Sequence, residues 1–186
     1  MCAYQPTFYK PLNMASLVNT EGWASAVGRF MLAFGSIEAN INHMLQHWCS
    51  PHTYRFLIEM NLGPRIKFLR NAIDEHDLDD DARTILRQNL ADVMTLAKTR
   101  NLIAHNPLVL ALFEEGTEPV FREVIFSALD QKKQVTLSGL LDLVDQVEAL
   151  DDAISQNGAS IRLHGKFLPY GSEIPHRAVL ERPKKA

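Results

Sequence analysis

The sequence predicts a mainly α-helical fold, a bundle of four to five helices with a β-hairpin inserted between the third and the last long helix. Four long segments repeat their apolar residues with the period of a helix. One stretch between the third and fourth segments instead alternates with the period of a strand. At 186 residues, of which 46% are hydrophobic, the chain is long enough to bury a core as one domain.

The chain divides into three predicted parts. Residues 1–20 form an N-terminal extension, residues 21–157 form the helical bundle domain, and residues 158–186 form an extended C-terminal tail. The tail is set apart because it contains three prolines and no apolar period.

The first helix is predicted over residues 21–48. At about 100° per residue, one stripe of apolar side chains faces the core: Trp23, Val27, Phe30, Phe34, Ile41, Leu45 and Trp48. Glu38 lies inside this stripe. Because an unpaired buried carboxylate is costly, Glu38 should have a cationic or hydrogen-bonding partner.

The second and third predicted helices follow, and the third has a charged residue within its apolar stripe. A helical stretch follows the break at Pro51 and is interrupted or kinked at Gly63-Pro64, because proline cannot donate to the helical hydrogen bonds. The third helix is predicted over residues 81–105, and Pro107 ends it. Its stripe contains Leu86, Leu90, Val93, Ala97, Arg100 and Ala104. We therefore expect a Glu38–Arg100 contact, which is either functional or a buried ion pair without function.

The remaining elements are a hairpin and a fourth helix. Residues 108–127 alternate on either side of the turn "EEGTEP", which predicts the hairpin. A fourth helix follows over residues 136–156 and is stopped by Asn157-Gly158. Its inner side is predicted to hold Leu137, Leu140, Leu141, Val144 and Val147.

Composition excludes several classes of function. The net charge of -3 and the pI near 6.1 argue against a broad basic face for nucleic acid, although a small basic pocket fits them. No apolar run is long enough for a signal peptide or a membrane span, so we expect a cytoplasmic protein without membrane contact. Two cysteines, Cys2 and Cys49, do not make a disulfide framework.

A histidine cluster in "HMLQHWCSPH" raises the question of a metal. His43 and His47 have the spacing of a helical zinc pair, and Cys49 and His52 follow. However, Met44 stands where the metalloprotease signature requires Glu, and both histidines lie off the apolar stripe. We expect a solvated helix face, no metal and no cofactor.

The end of the third helix, "AKTRNLIAHNPL", is the main candidate site. His105 lies about 140° around the helix from Arg100 but only about 40° from Asn101. Arg100 and His105 could meet if Pro107 distorts the last turn, or if two copies pack about a two-fold axis. The structural alternative is that His105 favours the negative end of the helix dipole, while Asn101 bonds to it or to the backbone.

The stretch "RNLIAH", Arg100 to His105 with Asn101 in second place, resembles the motif of the HEPN superfamily, an Arg followed by four to six residues and a His. The resemblance extends over the bundle from about residue 21 to residue 156. It implies a metal-independent endoribonuclease, acting as a homodimer whose two motifs face one cleft, and often serving as a toxin or antiviral effector. Other members are inactive, so the alternative that the resemblance implies is a non-catalytic module that binds a nucleotide or a protein partner such as an antitoxin. One subset of the family has a tyrosine two residues after the His, and in this sequence that position is Pro107.

A second stretch, "RNAIDEH", fits the same spacing from Arg70 to His76. Six acidic residues surround its histidine and would repel a phosphate, whereas Lys98 and Arg100 precede His105. The later motif is therefore favoured.

The residue types suggest how such a site would work. His105 would act as general base or acid, Arg100 would clamp the phosphate, and Asn101 would orient His105 or the phosphate. Lys98 and Glu38 would support them, through added charge and through the predicted contact with Arg100. A non-catalytic binding module remains the alternative.

Overall fold

In a computed structural model, residues 19–75, 78, 80–115, 118–127, 129–130 and 133–164 are described. They form α1 (Thr20–Trp48), α2 (Pro51–Ile58), α3 (Leu62–Glu75), α4 (Asp80–His105), β1 (Leu108–Glu115), β2 (Glu118–Phe126), β3 (Gln134–Thr136) and α5 (Leu137–His164). The predicted mainly helical fold, with a hairpin before the last long helix, is confirmed. Whether the fold is that of the HEPN superfamily stays a prediction. In this part of the chain, no helix combines the length and apolarity that a membrane span requires.

The described residues cluster into two compact units. The sheet unit comprises those of Met1–Leu32 and Leu96–Val147, and the helical unit comprises those of Ala33–Thr95 and Glu148–Ala186. Each has an apolar core. In the sheet unit the buried side chains include Trp23, Phe30, Leu96, Ile103, Val124, Ile125, Leu140 and Val144. In the helical unit they include Phe34, Ile37, Ile41, Leu45, Leu69, Ile73, Leu86, Leu90, Val93 and Ile154.

The sheet of the sheet unit has the order β1-β2-β3, and both pairs of strands are antiparallel. Val109 pairs with Val124 and Leu112 with Phe121. Successive side chains alternate between faces, so Phe121, Glu123 and Ile125 share one face of β2. The short β3 was not predicted, because its one buried residue, Val135, follows a polar stretch that is typical of a loop.

One carboxylate joins the start of α1 to this sheet. Glu123 Oε1 accepts from the backbone N–H of Asn19 at 2.8 Å, and Glu123 Oε2 accepts from Trp23 Nε1 at 2.7 Å. Asn19 also begins the helix, because its side-chain oxygen accepts from the Gly22 N–H at 3.0 Å. The acidic side chain therefore satisfies a buried indole and lies at the positive end of the helix dipole.

Side-chain hydrogen bonds connect the helices of the helical unit. Asn40 Nδ2 on α1 donates to Ser155 Oγ on α5 at 2.8 Å. Arg65 on α3 donates from Nη1 to Asn42 Oδ1 on α1 at 2.8 Å. The sequence reasoning found none of these polar contacts, since hydrophobic periodicity describes only the apolar faces.

The predicted stop of the last helix at Asn157-Gly158 is wrong, because α5 runs through both residues to His164. Both residues are buried, and Ser155 just before them is bonded to Asn40. Packing therefore holds the helix where local preference would end it. Residues 158–164 of the predicted extended tail are helical, and residues 165–186 lie outside the described residues, as do residues 1–18 of the predicted extension.

The other deviations are smaller. The predicted interruption at Gly63-Pro64 lies earlier, at residues 59–61, and Pro64 falls in the first turn of α3, where its missing N–H is not needed. Ser50 caps the N-terminus of α2 through the Thr53 N–H at 3.2 Å. The prediction that Ala104 and Leu141 face the core is wrong, because both residues are exposed. The stripe residues that are half-buried rather than buried are Val27, Trp48, Ala97, Arg100 and Leu137.

Replacing Glu123 by alanine should lower the free energy of unfolding by about 1–3 kcal/mol, because the buried Trp23 N–H loses its acceptor. Urea denaturation followed by circular dichroism measures this change. The matched control is Asp142→Ala, which removes an exposed acidic side chain from a helix surface and should change stability by less than about 0.5 kcal/mol. Equal effects in the two variants would contradict the bridging role of Glu123.

Gly158→Ala tests the continuity of α5. A Cβ at this position would meet Asn40 Oδ1 at 3.9 Å, an ordinary contact, so the variant should gain up to about 1 kcal/mol of helix propensity. If the helix ended at Gly158 in a left-handed conformation, the same change would destabilise the protein instead. Gly28→Ala on α1 is the matched control for the propensity gain, since a Cβ there meets nothing within 4 Å.

Candidate functional site

Arg100 lies on the apolar side of the last turns of α4. Leu96 and Ile103, four residues before it and three after it, are both buried. These three positions share one face of a helix, and Arg100 is half-buried between its neighbours. The expectation that Arg100 enters the apolar stripe is correct, although Leu96 and Ile103, rather than Ala97 and Ala104, are the buried residues beside it.

The guanidinium of Arg100 reaches the neighbouring shoulder of the helix. Its Nη1 donates to Asn101 Oδ1 at 3.2 Å, and Asn101 is exposed. His105, one turn later on the same shoulder, is exposed as well. The length of the arginine side chain therefore brings its guanidinium to Asn101, although the two residues point in different directions from the helix axis.

Asn101 is bonded to Arg100 rather than to His105. Within the part of the chain that the structure describes, the His105 side chain has no hydrogen bond and no ion pair. The expectation that Asn101 orients His105 is therefore not met by a direct bond in this structure. The amide nitrogen of Asn101 is left as a hydrogen-bond donor.

The helix remains regular through its last residue. α4 is helical as far as His105, so Pro107 does not distort the turn that carries the motif. Asn106 Nδ2 donates to the Leu102 carbonyl oxygen at 2.8 Å and satisfies one of the acceptors that a helix end leaves open. The sequence reasoning missed this contact, although an Asn side chain can bond to a backbone carbonyl four residues earlier in the chain.

The sequence around the motif is positively charged. Lys98 is exposed on the same helix, and the sequence contains no carboxylate from residue 93 to residue 113. Glu38, the predicted partner of Arg100, is half-buried and belongs to the helical unit, whereas Arg100 belongs to the sheet unit. Their contact stays a prediction.

The competing arginine–histidine stretch is only partly described. Arg70 and Asn71 on α3 are exposed, while His76 lies outside the described residues. The neighbouring Asp74 is paired with Arg87 of α4. This ion pair gives the acidic end of α3 a structural role in the helical unit.

The histidine cluster is exposed as expected. His43, His47 and His52 are all exposed, and the described residues contain no group of three or more potential ligands that could hold a metal ion. Cys49 lines a pocket of about 290 Å³ together with Gln46, Pro51, Tyr54, Arg55 and Ile58. Desolvation by burial raises the pKa of the Cys49 thiol.

The chain matches no protein-family model, no curated protein and no solved structure. The likeness to the HEPN superfamily therefore rests on Arg100, Asn101 and His105 and on the helical fold around them.

The raised pKa of Cys49 predicts that its thiol is alkylated slowly. Burial favours the neutral form, so alkylation by iodoacetamide near pH 8 should be slower in the folded protein than in the protein unfolded by guanidinium. The rate should rise as the pH increases through the raised pKa. Mass spectrometry of a Cys2→Ser variant follows Cys49 alone. Equal rates in the folded and unfolded protein would show that burial does not protect this sulfur.

Proposed function

We propose that this protein is a metal-independent endoribonuclease that acts as a homodimer, with Arg100, Asn101 and His105 as its active site. The observation that carries the proposal is the hydrogen bond from Arg100 to Asn101 on the shoulder that also bears the exposed His105. It brings a permanent cation to an amide on the shoulder of α4 that also bears an imidazole. By its resemblance to the HEPN superfamily, the nuclease would serve as a toxin or a defence effector.

The reaction is an internal transfer at phosphorus. The 2′-oxygen of a ribose attacks the adjacent phosphorus, the bond from phosphorus to the 5′-oxygen breaks, and a 2′,3′-cyclic phosphate remains. One group accepts the proton of the 2′-hydroxyl and another gives a proton to the departing 5′-oxygen. Imidazole suits both tasks, and the guanidinium suits the extra negative charge on the phosphate oxygens.

The need for two proton-transferring groups argues for a dimer. Each chain supplies one His105 at this helix end, and two copies related by a two-fold axis would supply a base and an acid to one cleft. Asn101 would donate from its amide nitrogen to a phosphate oxygen, since its oxygen already accepts from Arg100.

Electrostatics limits the kind of RNA that fits. The end of a helix carries a partial negative charge, which opposes a phosphate, so Lys98 and Arg100 must outweigh it. With a net charge of -3, the protein offers no broad attraction to nucleic acid. The proposed site would therefore contact few phosphates and select its RNA by shape.

The half-buried position of Arg100 favours a second candidate, a non-catalytic module that binds a protein partner or a nucleotide. Because Leu96 and Ile103 are buried on either side, Arg100 can serve the packing of the helix without serving chemistry. In that case Asn101 and His105 would be part of a binding surface or of a stable helix end.

RNA cleavage in EDTA tests the proposal. Wild-type protein should cut transfer RNA or single-stranded RNA and leave cyclic phosphate ends, whereas a 2′-deoxy nucleotide at the cleavage position should block the cut. His105→Ala should lower the rate by about 10²–10⁴-fold, and Arg100→Ala should lower it by about 10²–10³-fold. Asn101→Ala should have a smaller effect on the rate.

His43→Ala and Arg70→Ala are the matched controls, because they remove an exposed histidine and an exposed arginine outside the site. Both should keep wild-type activity, and every variant should keep its circular dichroism spectrum and its mass in solution. If folded wild-type protein leaves all these RNAs intact, the proposal fails and the binding module is preferred. Cleavage that survives His105→Ala would also refute it.

A further inference from the structure

A pocket of about 290 Å³ lies between the end of α1 and α2, within the helical unit. Small-molecule sites in proteins have volumes of roughly 300–1,000 Å³. The pocket is close to the lower end of this range, so it has room for a small organic molecule. Six residues line it: Gln46, Cys49, Pro51, Tyr54, Arg55 and Ile58.

The local fold gives the pocket two walls. Only Cys49 and Ser50 separate α1 from α2, and Ser50 begins α2 by accepting from the Thr53 N–H. Leu57 is 6% exposed and anchors α2 to the helical unit. One wall is a single face of α2, which supplies four lining residues at the spacing i, i+3, i+4 and i+7: Pro51, Tyr54, Arg55 and Ile58.

The polar side chains of the pocket are available to a ligand. Among the residues whose structure is described, none forms a hydrogen bond or an ion pair with the side chain of Gln46, Tyr54 or Arg55. A guanidinium has five N–H donors, a primary amide has two and a phenol has one. Donors thus outnumber acceptors, which suits a ligand that carries acceptor oxygens.

The charge around the pocket suits an anion. Arg55 is the cation among these lining residues, and residues 39–58 of the sequence contain no carboxylate. Glu59, one turn after Arg55, forms no ion pair with it and does not line the pocket. A guanidinium binds a carboxylate through two parallel hydrogen bonds. One cation matches this monoanion better than a phosphate monoester, which carries a charge of about −1.5 to −2.

The rest of the lining favours an apolar group on the anion. Ile58 is 41% exposed, and Pro51 and the ring of Tyr54 line the same pocket. An aliphatic or aromatic group that covers these side chains removes apolar surface from water on both sides of the contact. An aromatic group can also stack against the ring of Tyr54.

We propose that this pocket binds a small carboxylate that carries an aromatic or branched aliphatic group. Arg55 pairs with the carboxylate, Gln46 and the Tyr54 hydroxyl donate to its oxygens, and Ile58 packs against the apolar group. Arg100, Asn101 and His105 belong to the sheet unit, so the pocket is a different site. The inference does not depend on the nuclease proposal.

NMR titration of the full ¹⁵N-labelled chain at constant ionic strength tests the site, and phenylacetate is the probe. It should shift amide signals of residues 46–58 with a Kd no weaker than about 10 mM. Acetate lacks the apolar group and phenylacetamide lacks the charge, so each should bind at least about tenfold more weakly. 4-Methylpentanoate, which has a branched aliphatic group, should bind within about tenfold of phenylacetate.

Two pairs of variants locate the ligand. Arg55→Gln should weaken phenylacetate binding at least about tenfold, whereas Arg70→Gln, which removes an exposed arginine outside the pocket, should leave the Kd unchanged. Ile58→Ser should weaken binding about fivefold. Its matched control is Phe56→Ser, because Phe56 is 60% exposed on α2 and does not line the pocket.

The thiol in the pocket wall provides an independent measurement. In a Cys2→Ser variant, saturating phenylacetate should slow the alkylation of Cys49 by iodoacetamide at least about threefold, because the ligand limits access to the sulfur.

Two outcomes would overturn the proposal. If neither carboxylate binds the folded protein more tightly than about 10 mM, the pocket does not hold this class of ligand. If phenylacetate binds Arg55→Gln as tightly as it binds wild type, the carboxylate lies elsewhere on the protein.

Discussion

The double hydrogen bond of Glu123 is the constraint on which the sheet unit depends. A strand and a helix meet there, because one carboxylate accepts both from the first residue before α1 and from a buried indole. With β2 held in this way, the register fixes β1 beside it. α4 ends only two residues before β1 begins, so the location of His105 follows from that of the strand. The candidate site is thus an outcome of how the sheet is anchored.

The features that the sequence predicts well are those that depend on local period. The extent of α1 and α4 and the β-hairpin follow from the spacing of apolar residues and from Pro51 and Pro107. The errors occur where contacts with residues distant in the sequence determine the local structure. Asn157-Gly158 is a common helix end, yet burial in the helical unit keeps it helical. For α4, the predicted direction of each side chain assumes about 100° of rotation per residue. A small error in this angle adds up over 26 residues. Near the end of the helix the prediction therefore names Ala104 as buried, whereas Ile103 is the buried residue.

The candidate site was predictable as a set of residue types but not as a geometry. The helical period places Asn101 and His105 on one shoulder and Arg100 in the apolar seam. It cannot predict that the arginine side chain turns towards Asn101, because the choice among its rotamers depends on the neighbours that surround it. The Asn106 contact with Leu102 was missed for the same reason. The positions of polar side chains depend on their hydrogen-bonding partners, and the sequence alone does not identify those partners.

The connection between α4 and β1 is short and has little conformational freedom. It consists of Asn106, whose amide is tied back to Leu102, and Pro107, whose ring fixes its φ angle. A rigid link of this kind transmits displacement, so a tilt of the hairpin would swing the imidazole of His105 with it. If the hairpin adopts more than one orientation, anything that favours one of them should also favour one position of the His105 side chain.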